Sequence, residues 1–403
     1  MFRRVFKAFH YRDFRLLWFG ACTSSIGTWM QSVAQNWLVY TISGSAFFLG
    51  LDGFLGQIPI VMFSLIGGVI ADRIERRRVL LGSQYVQMTS AFVLTALLLL
   101  HVLDKRVWPI LLLSFVVGCA QSFGGPAYSA LVPSLVEKED LPNAIALNSI
   151  QFNLARVIGP MLGGLALTGL GAAWCFGLNG LSFVAVIISL LMLHVRFMPR
   201  NTGESILMGV KQGIGFIRTQ GAMVGLISVA FLMTALAIPM LTFLPVFAKD
   251  VFHRGPTAFT ILLSCSGAGS VVGALTVAAF GNVNRKGLIA LLTLLLLGGG
   301  IAAFALSKVL VLSCAILFVS GAAMMGTFSM ISSLVQLITP NEMRGRVMSV
   351  YNVAFRGGMP LGSIVTGYLV RIYSAPHVLA VNGLLLVAVG VYFLLVQRRV
   401  AAL

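Results

Sequence analysis

Three ionisable side chains stand inside long apolar runs: Asp52 in FLGLDGFLG, Arg156 in NLARVIGP and Arg356 in VAFRGGMP. Charge in hydrocarbon is costly and is kept where it binds, relays or pairs. Asp52 is the only carboxylate clearly inside such a run, about 9 Å from its outer end at 1.5 Å per residue. It is the candidate proton carrier, because partial burial raises a carboxyl pKa toward neutrality; the other reading is a structural hydrogen bond in interfacial water. The two arginines lie roughly 20 and 15 Å inside their runs. Each must face a wet cavity, a partner group or an anionic ligand, with bonds to backbone carbonyls or to Asn153 and Asn352 as the structural alternative. Gln31, Gln35 and Asn36 recur at helical spacing beside Trp29 and Trp37. Amides among aromatics suit a cavity wall that binds without a fixed hydrogen-bond code, and they suit glue between helices equally well.

Other chemistries lack their parts. An aspartyl dyad needs two intramembrane carboxylates, the five histidines fall near run ends, and HExxH, GxSxG and GxxxxGK[ST] do not occur, which argues against an intramembrane enzyme and against a nucleotide-driven pump. The five cysteines sit in apolar runs without metal-ligand spacing and read as small hydrophobes. No metal, cofactor or catalytic residue is expected.

The elements that must position these groups follow from composition. Of 403 residues, 58% are hydrophobic and 10% charged, too apolar for a single water-soluble core. Reading for runs of about 20 apolar residues gives twelve, near 16–40, 46–71, 79–101, 107–135, 143–169, 173–195, 222–248, 256–281, 287–306, 309–338, 346–372 and 377–397. The expected fold is an all-α membrane protein of twelve transmembrane helices. The net charge of +17 would suit a nucleic-acid binder, but 20 of the 28 Lys and Arg fall in loops on the side of both termini and 6 on the other. That asymmetry is membrane topology, with both termini cytoplasmic in the cell membrane, and leaves no call for nucleic acid.

One long polar connection, 196–221, separates residues 1–195 from 222–403, six runs on each side. Within it Leu207, Val210, Ile214 and Ile217 share a helical face, as expected of an amphipathic helix on the inner membrane surface. The halves echo each other: Arg156 and Pro160 are answered by Arg356 and Pro360, and IADRIERRR (70–78) has a degenerate counterpart in FGNVNRK (280–286). Transporters built from two six-helix halves show such symmetry.

These residues resemble the major facilitator superfamily along almost the whole chain. Gly68 to Leu80 is similar to the signature G-x-L-A-D-R-x-G-R-K-x-x-L, departing at Glu75, where the pattern has glycine. The resemblance implies that Gly68, Asp72, Arg73, Arg76 and Arg77 form a gating loop fastening the halves on the cytoplasmic side. Gly159, Pro160, Gly163 and Gly164 match the G-P-x-x-G-G core of the signature of antiporter-type exporters, although Ala146 and Ala155 stand where the longer pattern has glycine. Proline and glycines there predict a bent, tightly packed helix, and a generic small-residue face is the plain alternative. Residues 27–50, 125–149 and 339–353 resemble the bacterial drug and siderophore exporter group. The resemblance implies export of a small amphipathic molecule by alternating access and proton antiport, with the arginines and amides in the substrate cavity and a single chain in the bilayer sufficient. A facilitator or importer of a small organic solute is the competing expectation.

Overall fold

The computed structural model describes residues 6–104, 106–194, 206–279 and 285–403, apart from the side chains at 65, 69, 71–73 and 206–209. Among these residues the chain is built of helices, as lipid requires of a single chain that must satisfy its own backbone. Unit 1 is residues 1–44 and 55–203; unit 2 is residues 45–54 and 204–403.

Unit 1 carries α1 (Arg12–Ser43), α2 (Ala46–Arg73), α3 (Arg76–Leu99), α4 (Trp108–Leu131), α5 (Leu141–Gly169) and α6 (Ala172–Leu191), with the first turns of α2 grouped in unit 2. Unit 2 carries α7 (Ile206–Thr219), α8 (Gly221–Thr242), α9 (Pro256–Ala279), α10 (Lys286–Leu306), α11 (Leu310–Ile338), α12 (Arg344–Ile372) and α13 (Ala375–Leu395). Starts and stops follow local chemistry. Pro109, Pro142, Pro256 and Pro376 stand at the first positions of their helices, where a missing N–H costs nothing. Gly44 ends α1 in the left-handed region at φ 60° and donates its N–H to Tyr40 O.

Nine stretches of the described residues are long and apolar enough to cross a membrane. The long helices outside that set are α1, α3 and α12. The reason is polar content inside the helices: Gln31, Gln35 and Asn36 with several hydroxyls in α1, Gln84 and Gln87 in α3, and Asn352 and Arg356 in α12.

The two units share one neighbour order. In unit 1, α1 lies between α5 and α6, α3 lies between α6 and α4, and α2 meets α4 at Gly67 and Gly118. In unit 2, α8 lies between α12 and α13, α10 lies between α13 and α11, and α11 packs on α9. Helix by helix these are the same arrangement, the structural form of the repeat read in the sequence. The amphipathic α7 packs on α12 and α8. Its Ile217 is buried and Ile214 exposed, Gly213 lies where a side chain would meet Arg346 O at 2.8 Å, and Leu207 is outside the described side chains.

Close seams arise from glycine meeting backbone. A side chain at Gly67 would strike Ser122 O, and one at Gly362 would strike Ala235 O. Pro126 and Pro239 explain both, since each stands four residues after the carbonyl concerned and supplies no N–H to it. The freed oxygen turns outward and glycine lets the neighbouring helix close on it, a contact of the weak Cα–H···O kind.

Candidate functional site

Arg156 lies in mid-α5 and is half-buried; Arg356 lies in mid-α12 and is exposed. Among the described residues neither makes a hydrogen bond or an ion pair. Asn153 does not serve Arg156: its Nδ2 donates to Ser149 O at 2.8 Å. Ser149, Asn153 and Arg156 therefore share a polar strip at i, i+4 and i+7, and Ser349, Asn352 and Arg356 repeat it at i, i+3 and i+7 in the other unit. Aromatic rings border both strips. Trp29 and Phe152 meet edge to face at 6.4 Å, and Phe328 meets Phe355 at 4.8 Å.

Each arginine is followed four residues later by a helical proline, Pro160 or Pro360. The carbonyls of Arg156 and Arg356 are thus the ones left without their helical partner. Below each proline the helix is held tightly against its neighbour. Side chains at Gly159 and Gly163 would meet Ile26 O and Met30 O, each at 2.9 Å, while Gly358 faces Phe231 O and Gly362 faces Ala235 O. Gly164 is buried on the same helix as Gly159 and Gly163.

The amides bridge helices. Asn179 Nδ2 donates to Gln31 Oε1 at 2.6 Å, joining α6 to α1, and Gln35 Nε2 donates to Ser114 Oγ at 2.9 Å, joining α1 to α4. Asn36 is half-buried on the same helix. A second polar bridge was invisible to motif reading: Tyr128 of α4 donates to Asn148 Oδ1 at 3.1 Å, and Gln151 of α5 donates to Ala21 O and Ser25 Oγ of α1. The available signal was Gln151 five residues before Arg156 in an apolar run, and Asn179 alone in another.

Asp52 is buried, with 6% of its surface exposed, in the part of α2 that groups with unit 2. Gly50 and Gly53 flank it, and side chains there would meet Gly367 Cα at 2.9 Å and Ser363 Oγ at 3.2 Å.

Of the gating-loop residues, the side chains of Asp72 and Arg73 lie outside the described set. Gly68 has open space around it, so no close approach requires glycine there. Arg77 donates to Leu191 O at 2.9 Å and Leu193 O at 3.1 Å, at the end of α6; Arg76 donates to Ala130 O at 2.9 Å, at the end of α4. Cations at helix C-termini complement both the orphan carbonyls and the dipole.

A further cluster ties the segment before α1 to the start of α5. Lys7 Nζ donates to Asp140 Oδ1 at 2.6 Å, Tyr11 OH to Asp140 Oδ2 at 2.9 Å, and Ala8 N to Asn143 Oδ1 at 2.9 Å. The Lys7 hydrogen bond, seconded by that of Tyr11, holds the Asp140 carboxyl below the usual carboxylate range and raises the lysine in turn. Phe9 rests edge-on against Trp18 at 5.1 Å, and Trp18 Nε1 donates to Leu147 O at 2.9 Å.

Comparison with known proteins gives this geometry a context. The family described as transmembrane secretion effector matches residues 5–402. The macrolide efflux protein A of Streptococcus pyogenes is 23% identical over 393 residues, covering 94% of each chain. The enterobactin exporter of Shigella boydii is 28% identical over 405 residues, covering 98% of this chain and 91% of its own. A solved POT family transporter in complex with 5-aminolevulinic acid has the same fold, with a TM-score of 0.76 at 12% identity over 96% of each chain. The chain belongs to the transmembrane secretion effector family, and is a multi-pass membrane transporter of the major facilitator superfamily rather than an enzyme.

Proposed function

We propose that this chain exports a small amphipathic molecule, of the breadth spanned by macrolides and siderophores, across the cytoplasmic membrane by alternating access in exchange for protons. The observation that carries the reading is the shared neighbour order of the two units, in which α1 to α6 pair with one another in the same order as α8 to α13. It supports a twelve-helix crossing: α1, α3 and α12 pack lengthwise on helices that qualify as spans by themselves, so they cross with them. The basic loops support cytoplasmic termini. Two six-helix halves, 1–195 and 222–403, with a linking segment at 196–221, complete the layout.

In this reading Asp52 takes the proton, since it is buried within a run of apolar helix and no other carboxylate of the sequence is so placed. Arg156, Arg356, Gln31, Gln35 and Asn36 contribute to cargo binding, and the loop from Gly68 to Arg77 gates. One chain suffices. Proton and cargo then each shift the conformational population through their differential affinities.

Inverted vesicles with an acid interior test the proposal, offered a macrolide and a catecholate siderophore in turn. Uptake that needs the protein and collapses with a protonophore is expected. Asp52→Asn is expected to abolish the dependence on the pH gradient while leaving downhill exchange. Gradient-driven uptake unchanged in that variant removes Asp52 from the mechanism, and uptake indifferent to the gradient in the wild type removes antiport.

A further inference from the structure

We propose that the cargo is anionic and that Arg156 and Arg356 are two separate oxyanion receptors, one within each unit; the proposal rests on the exporter reading and adds the sign of the cargo's charge. The observations are local. Both guanidinium groups sit in mid-helix, and among the described residues neither meets a carboxylate, a carbonyl or an amide oxygen. What sets them apart from arginines near helix ends is their mid-helix position: Arg76 and Arg77, at the start of α3, are taken up by carbonyls and Arg78 by Glu75 at 2.6 Å.

A carboxylate partner is not at hand on the same helices. α5 and α12 contain no Asp or Glu between their first and last residues. Ser149, Asn153 and Ser349 extend the polar strip beside the arginines, so hydroxyl and amide groups accompany the charge. Phe152, one turn before Arg156, and the Phe328–Phe355 pair beside Arg356 offer apolar surface to the body of an amphipathic ligand. A planar guanidinium presents parallel N–H groups that match the oxygens of a carboxylate, sulfonate or phosphate in a way that an ammonium does not. Occurrence of the same unpartnered cation at the same repeat position, four residues before the same proline, makes an accidental surface charge a poor account. A cationic cargo, a protonated macrolide amine included, meets repulsion at both places, so this inference narrows the proposed range toward the anionic class.

The test uses the purified full-length protein in non-ionic detergent and two probes of one shape, naphthalene-1-sulfonate and 1-naphthylmethylammonium, followed by tryptophan fluorescence. The sulfonate is expected to bind at least about tenfold more tightly, the scale of one charge-assisted contact. Arg156→Gln and Arg356→Gln should each weaken sulfonate binding about tenfold at its own unit's receptor, removing one of two binding phases, and leave the ammonium unchanged or improved. Arg156→Lys and Arg356→Lys keep the charge and lose the fork, so they should fall between, and they guard against loss of fold. Raising salt should weaken sulfonate binding to the wild type but not to the doubly substituted R156Q/R356Q protein. Equal affinity for the two probes, absence of sulfonate binding, or indifference of the sulfonate to all four variants overturns the proposal. Should the vesicle assay succeed while the sulfonate fails, the charge assignment falls and the exporter stands; the reverse outcome removes the exporter and keeps the anion receptors.

Discussion

Two sets of arginines in this chain have opposite fates. Arg76 and Arg77, at the start of α3, find the carbonyl ends of α4 and α6 within hydrogen-bond reach. Arg156 and Arg356, in the middle of α5 and α12, find no protein acceptor among the described residues. The difference is one of backbone supply. Helix ends carry up to four unsatisfied carbonyls in one turn, whereas mid-helix carbonyls are engaged with the N–H four residues on except where a proline stands there, and the carbonyl freed by Pro160 or Pro360 is the arginine's own. A cation near an end becomes a cap and stabilises the fold, whereas at the centre of α5 and α12 it makes no hydrogen bond or ion pair to a described residue.

That contrast is open to attack by substitution. The largest stability effect should come from Arg77→Gln, which removes two charge-assisted bonds to the end of α6; partial exposure discounts them, leaving a loss of about 1–2 kcal/mol in thermal or denaturant unfolding in detergent. Arg76→Gln removes its bond to Ala130 O and should cost about 1 kcal/mol. Next comes the strap at Asp140, which solvent screens more strongly. Its carboxyl pKa is depressed by Lys7 and Tyr11, so its contribution is complete above the ordinary carboxylate value near 3.8 and is lost as pH falls from there through the lowered one. The lysine's contribution has the opposite sense, complete below its ordinary value near 10.5 and lost as pH rises through the raised one. Trp18 emission, sensitive to Phe9, should therefore stay flat across neutral pH and change only in acid or strong base, and Asp140→Asn should remove the acid limb. Smallest of all, Arg156→Gln and Arg356→Gln should shift stability by no more than about 0.5 kcal/mol, because no hydrogen bond or ion pair to a described residue is lost and glutamine keeps most of the stem. A destabilisation comparable to that of Arg77→Gln would show that the two sets do not differ after all.

Hydropathy locates the helices: the apolar runs at 46–71, 143–169 and 346–372 correspond to Ala46–Arg73, Leu141–Gly169 and Arg344–Ile372. The spacing of Arg156/Pro160 and Arg356/Pro360 announced the repeat, and Leu207 to Ile217 announced α7. What stayed hidden was pairing across helices. Gln35 declares that an amide needs a partner but not that Ser114, 79 residues on, supplies it. Gly67 and Gly362 are two among 43 glycines; only a proline on another helix, Pro126 or Pro239, gives them their carbonyl to pack on. Likewise Arg76 and Arg77 resemble part of a motif in sequence, and their bonds to the ends of α4 and α6 emerge only when those ends are brought together. Local periodicity records which face is apolar, while partner choice depends on tertiary geometry that no window of the sequence contains.

Pro160 and Pro360 give the arginines a mechanical setting. Where a helical hydrogen bond is missing the rod is softest, and in both repeats that soft joint falls at the residue whose guanidinium is unclaimed. A force applied at that side chain acts on the joint itself, without a lever of intervening turns. If the arginines receive cargo as proposed, occupancy and the curvature of α5 and α12 become one variable.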